Sequence, residues 1–163
     1  MTDQPLTGGC QCGAVRFVVE DGLGRASVCH CRMCQKATGG FYGPFVTAYG
    51  VRWTRGGPKY FQSSNAARRG FCGDCGTPLT FETGGYVELT IGAFDHPSQV
   101  APAIAVGLES KLPWVDGLGR LPTRSPQEAA EAAARSAVIR SYQHPDHDTD
   151  IWSPGDAGGE TLG

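Results

Sequence analysis

Cys29-His30-Cys31-Arg32-Met33-Cys34, with Gln35-Lys36 behind it, places three thiols within six residues. Two thiol pairs stand around it, Cys10-Gln11-Cys12-Gly13 before and Cys72-Gly73-Asp74-Cys75-Gly76 after, and together they account for all 7 cysteines. A Cys-x-Cys on extended backbone puts both side chains on one face, because strand side chains alternate. A Cys-x-x-Cys-Gly segment is a tight turn whose Gly relieves strain behind the second thiol. Tetrahedral zinc takes sulfur at about 2.3 Å, so its ligand sulfurs lie roughly 4 Å apart. Cys10, Cys12, Cys72 and Cys75 therefore read as one closed zinc site that ties distant parts of the chain together. Cys29, Cys31 and Cys34 read as a second zinc site, with three protein ligands and an open position as in catalytic zinc. A Cys-x-x-Cys redox pair needs only two thiols and leaves five without a role.

A fourth ligand to the second site from His96, His144, His147 or an Asp is the competing reading. His30 is a poor ligand, since alternation turns it away from its two neighbours; it is expected to pack or hydrogen-bond behind the site. Three thiolates on Zn²⁺ carry a net charge of about −1, which makes a mild Lewis acid. Such a site suits an incoming thiol, held as thiolate, better than activation of water. Thiol chemistry on an electrophilic carbonyl is the expectation.

A chain of 163 residues implies one domain, or one domain with a tail. With 14 basic against 16 acidic residues, and a formal charge of −2, a nucleic-acid or anionic-membrane partner is disfavoured. Met1 to Gly9 has neither a basic cluster nor an apolar core of the kind a signal peptide carries. No apolar run approaches the ~18 residues of a membrane span. A reducing cytoplasm is expected, where clustered cysteines serve as metal ligands or catalysts rather than in disulfides.

Short strand signals fill most of the chain. Ala14–Glu20, Ala26–Cys31, Phe41–Tyr49 (interrupted at Gly43-Pro44), Val51–Thr54 and Lys59–Gln62 are strands by β-branched and aromatic content, separated by Gly and Pro. Tyr86–Ile91 alternates and is the clearest; Ile104–Leu108 is weaker. Thr2–Thr7 reads as a flexible lead-in, Ala37–Gly40 as a break, and Ser63–Arg69 as a polar loop. One helix is expected, with Ser125 as cap, Pro126 at its first position, Glu128 closing a capping box, and good helix formers from Ala129 to Arg140. The fold class is mainly β with a C-terminal helix. Residues 8–124 form the zinc-binding domain, 125–143 the helix, and 144–163 a polar tail in which His144-Pro145-Asp146-His147-Asp148 is solvated chain.

Three blocks carry a resemblance: Gly8-Gly9-Cys10-x-Cys12-Gly13-x-Val15-Arg16-Phe17, Cys29-His30-Cys31-x-x-Cys34-x-Lys36, and Arg69-x-Phe71-Cys72-x-x-Cys75-Gly76-Thr77-x-Leu79. With Ser110-Lys111-x-Pro113-Trp114 they resemble the glutathione-dependent formaldehyde-activating enzyme (GFA) family, also called the centromere-protein-V family. The resemblance implies a zinc-stabilised complex β fold of the Rab-exchange-factor-like type, two Zn²⁺ per chain, and the same four-plus-three ligand split. It also implies S-(hydroxymethyl)glutathione synthase activity, a carbon–sulfur lyase by class, with glutathione and formaldehyde as partners. The alternative is a zinc-stabilised protein-interaction module without chemistry. Ala105 stands where many relatives carry a His. Lys36 and Arg32, with Arg68, Arg69 and Lys111, are the cationic side chains able to grip glutathione carboxylates.

Overall fold

The structure, a computed structural model, describes residues 5–152. It is mainly β, with two sheets and a short C-terminal helix. Strands β1 (Leu6–Gly9), β2 (Arg16–Val19) and β5 (Val51–Arg55) form an antiparallel three-stranded sheet in the order β1-β2-β5. The larger sheet has seven strands: β3 (Leu23–Cys29), β4 (Gly43–Ala48), β6 (Lys59–Gln62), β7 (Ala67–Phe71), β8 (Pro78–Thr83), β9 (Tyr86–Thr90) and β10 (Ile104–Val106). Their order is β10-β3-β4-β9-β8-β7-β6, and only the β10–β3 pair is parallel.

The inward residues of both sheets meet in one core. Phe17 of β2 is fully buried and packs edge-on against Trp53 (6.0 Å) and Phe94 (5.3 Å). Val46, Leu79 and Leu89 close the core from the larger sheet. Leu89 lies on β9, the strand with the clearest alternation, and its place between β4 and β8 explains that clarity: a central strand must sort its two faces.

The structure departs from the expectations in several places. The lead-in is a strand from Leu6 onward; Met1 to Gln4 lie outside the described residues. The end of the segment expected as a polar loop, Ala67–Arg69, is the start of β7, whose arginines Arg68 and Arg69 lie over the Tyr60 and Phe81 rings at 4.1 and 4.8 Å. The first helix, α1 (Arg32–Thr38), starts just past the expected strand Ala26–Cys31 and runs into the expected break at Ala37. The second, α2 (Pro126–Ser136), has the expected Ser125–Glu128 capping box but stops short of Arg140. Beyond it Val138 and Ile139 are exposed, so no packing offsets their weaker helix propensity. The tail is anchored over its first part: residues 143–152 form a strap held to the domain through His144, which is 3% exposed, and through Thr149 and Trp152, whereas Asp146, His147 and Asp148 are exposed as expected. The rest of the expected tail, 153–163, lies outside the described residues.

Candidate metal centres

Cys10 and Cys12 follow β1, and Cys72 and Cys75 follow β7. Each pair sits in a turn closed by a backbone bond, Gly13 N to Cys10 O and Gly76 N to Cys72 O, both 3.0 Å. The two turns bring the four sulfurs within 4.8 Å of one another. The Cys10–Cys12 and Cys12–Cys72 separations are 3.5 and 3.8 Å, close to the edge of a zinc-thiolate tetrahedron. Neutral donors face these sulfurs. Val15 N donates to Cys10 Sγ at 3.2 Å, Asp74 N to Cys72 Sγ at 3.4 Å, and Thr77 Oγ1 lies 3.1 Å from Cys75 Sγ.

The strap covers the first of these turns. His144 N donates to Gln11 O (2.8 Å), Trp152 Nε1 to Cys12 O, and Arg55 to the carbonyls of Gly13 and Thr149. Beneath the strap Arg16 makes a two-pronged bond to Asp95 (2.8 and 2.6 Å) and a further one to Asp148 (2.9 Å).

Cys29 ends β3, and Cys31 is the N-cap of α1, its sulfur accepting from Cys34 N at 3.5 Å. The cap-to-third-position spacing is what turns Cys31 and Cys34 toward each other. The sulfurs of Cys29, Cys31 and Cys34 lie within 4.8 Å, and among the described residues no histidine or carboxylate joins them. His96, His144 and His147 therefore stand outside this group. Two glycines make room for it. At Gly107 φ is +66°, and a Cβ there would lie 2.7 Å from Cys31 N. At Gly43 a Cβ would meet the Phe45 ring at 2.3 Å and Cys34 Cβ at 3.1 Å.

Within each group the thiols differ in how readily they ionise. Burial, with two sulfurs beside it, pushes the Cys29 thiol up to about 12. Burial also opposes ionisation of Cys31, but hydrogen bonds from the Cys34 and Met33 amides and neighbouring thiols outweigh it and lower its pKa. In the four-cysteine group burial raises Cys10 and Cys12, whereas hydrogen bonds from Thr77 overcome burial at Cys75 and bring it down to about 6. Thiols this close cannot all ionise alone; a bound dication would resolve the conflict by displacing the protons. All-sulfur donor sets at this spacing fit zinc.

The remaining candidates separate. Arg32 and Lys36 are exposed on α1, and Arg32 bonds to Gln35 rather than to a sulfur. Lys111 pairs with Asp116 at 2.5 Å, and Arg68 with Glu82 at 2.7 Å. Arg69, 8% exposed, instead donates from Nη2 to Cys34 Sγ at 3.4 Å. His30 is buried against Tyr42, with ring centroids 5.7 Å apart, and its Nδ1 is the one buried side-chain nitrogen or oxygen without a partner among the described residues. Gln35 carried no sequence signal; its amide ties α1 to the carbonyls of His30 and Ser110. Arg69 did stand out, but its neighbour in sequence is Cys72, which belongs to the other group.

A mainly β domain with one four-cysteine and one three-cysteine group is a protein with two places able to hold a metal ion. Residues 5–110 match the family described as glutathione-dependent formaldehyde-activating enzyme, and the chain belongs to that family. Among solved structures it is similar to a Rhodobacter sphaeroides protein, with a TM-score of 0.49 at 22% identity, over 62% of this chain and 100% of that one. No curated protein matches it. No helix among the described residues is long and apolar enough to cross a membrane.

Proposed function

We propose that this chain is a cytoplasmic zinc enzyme that joins a thiol to an aldehyde, as an S-(hydroxymethyl)glutathione synthase does, and belongs to the carbon–sulfur lyase class. One observation carries the reading: three convergent thiols that no fourth side chain of the described residues completes. Cys10, Cys12, Cys72 and Cys75 hold a structural Zn²⁺; Cys29, Cys31 and Cys34 hold the catalytic one. When bound, the second zinc supplies Lewis-acid stabilisation of an anionic sulfur near neutral pH.

The reaction balances as an addition. The thiol loses its proton, a C–S bond forms as the C=O π bond breaks, and a proton ends on the former carbonyl oxygen. The chain positions the partners: Gln35 holds α1 to the 107–111 loop, so Cys31 and Cys34 keep their orientation. This reading assigns Lys36 and Arg32, both exposed on α1, to the glutathione carboxylates. Within this reading residues 8–124 are the catalytic domain, with the Rab-exchange-factor-like β fold, and α2 and the tail are appendages.

X-ray absorption on the zinc protein tests it. Two zinc per chain are expected, with the mean sulfur count rising when glutathione is added. Formaldehyde-dependent loss of free thiol should be abolished by Cys31→Ser. A sulfur count unchanged by thiol would favour a second reading, an interaction module; in its favour, α2 contributes no buried residue.

A further inference from the structure

The two cysteine groups differ in what faces their sulfurs. Backbone amides and a hydroxyl serve the four-cysteine group, and among the described residues no cationic side chain hydrogen-bonds its sulfurs. The three-cysteine group has a guanidinium, Arg69, 3.4 Å from Cys34 Sγ. We propose that Arg69 is the counter-charge that lets the three-cysteine group accept a fourth, anionic sulfur. This rests on the reading of that group as an open metal site.

The argument is one of charge and burial. Three thiolates and a dication sum to −1, and a fourth thiolate makes −2. A closed structural site meets that charge once, on folding, whereas an open site must meet it each time a thiol arrives. In a poorly solvated place a second negative charge is strongly opposed unless a positive one is adjacent. Arg69 is buried and permanently charged, and it needs no rearrangement to act. The β7–β8 register sets Arg69 opposite Phe81, whose ring lies 4.8 Å beneath the guanidinium. Nε donates to Ser63 Oγ at 3.1 Å. Arg69 also lines a cavity of about 170 Å³ with Phe45, Phe61 and Thr80. Thus Arg69 touches a ligand sulfur, and the same residue borders an open space that Cys29, Cys31 and Cys34 do not themselves line. It is a positioning residue, acting through Cys34 and the incoming sulfur's charge.

The test uses the full chain carrying Co²⁺ in both sites, with 2-mercaptoethanol as probe and sulfur-to-cobalt charge-transfer absorption as readout. The probe has no carboxylate, so it separates charge compensation from carboxylate binding. Arg69→Gln should keep two metals per chain and bind the probe about 10–100-fold more weakly, the usual loss when a group supporting a metal ligand is removed. Arg69→Lys should recover most of the affinity, and Arg52→Gln, at an exposed ion pair on β5, should match wild type. Unchanged probe affinity in Arg69→Gln would overturn the proposal. So would a loss seen with glutathione alone, which would make Arg69 a carboxylate grip. If Arg69→Gln fails to retain the second metal, Arg69→Lys decides: affinity within about threefold of wild type supports the counter-charge, and a tenfold loss refutes it. Wild type that binds no probe would instead sink the open-site reading itself.

Discussion

Asp95 shows how one residue holds two parts of the chain together. Burial alone would raise its pKa, but hydrogen bonds from Arg16 and Thr7 outweigh it and hold the carboxyl below the usual range. Its contribution is therefore present above the unfolded carboxylate value of about 3.9 and is lost as pH falls through the lower folded value. Arg16 and Asp95 are both nearly fully buried, so removing one charge strands the other. Asp95→Asn should cost about 3–5 kcal/mol in denaturant unfolding of the metal-loaded protein. A loss below 1 kcal/mol would mean that Asp148 compensates. The cysteines were legible at this scale because spacing alone limits where thiols can meet. The Arg69 contact was not: its partner is 35 positions away, and only the register of β7 brings them together.

Among the elements, those with a strong one-face pattern were readable, and the misses share a cause. Strand β7 carries Arg68 and Arg69, whose stems and guanidinia cover aromatic rings; by composition such a strand reads as loop. Helix α1 is only 7 residues long, and its N-cap is a thiol rather than a Ser or Asp. The strap depends on His144. Its Nε2 lies 3.3 Å from Arg55 Nη1 and 3.1 Å from Thr149 Oγ1, and Nδ1 lies 2.7 Å from Pro145 O. An arginine can only donate, so the neutral ring, accepting at Nε2 and donating at Nδ1, fits this pocket. Burial first, then the charges of Arg16 and Arg55, lower its pKa against the opposing pull of the bond to Pro145 O and the charge of Asp95; Asp148 faces Arg16. Unfolded His titrates near 6.5. The strap's stability is then complete above that value and falls with pH toward the lower folded value. Limited proteolysis within 143–152 should accelerate below about pH 6.5 in wild type and lose that pH dependence in His144→Phe. Equal acid sensitivity in both proteins would count against the imidazole.

At the scale of the molecule, the four-cysteine group joins the small sheet, through the turn after β1, to the large one, through the turn after β7. Cys12 and Cys72 are 60 positions apart, so closing that loop removes much unfolded-state freedom. Cys72→Ser, or a strong chelator, should therefore unfold the domain, seen as loss of cooperative unfolding and of near-ultraviolet dichroism. Cys31→Ser should keep one metal per chain and stay folded, since its group lies within one β3–α1 segment. Loss of both metals with collapse in Cys31→Ser would show the two sites to be coupled.

By itself, the amino-acid order determined the mainly β character, the capped C-terminal helix, and the division of seven thiols into four and three. The strand and helix signals and the geometry of each thiol cluster follow from spacing within a few residues, where backbone geometry leaves few choices; the four-plus-three division follows from the count of the clusters, although Cys12 and Cys72 are 60 positions apart. Only the tertiary structure decided that a buried arginine contacts the three-thiol group, that His30 Nδ1 has no partner among the described residues, and that residues 143–152 fold back over the first thiol turn. Those contacts join residues tens of positions apart or depend on burial, and no local period in the chain encodes them.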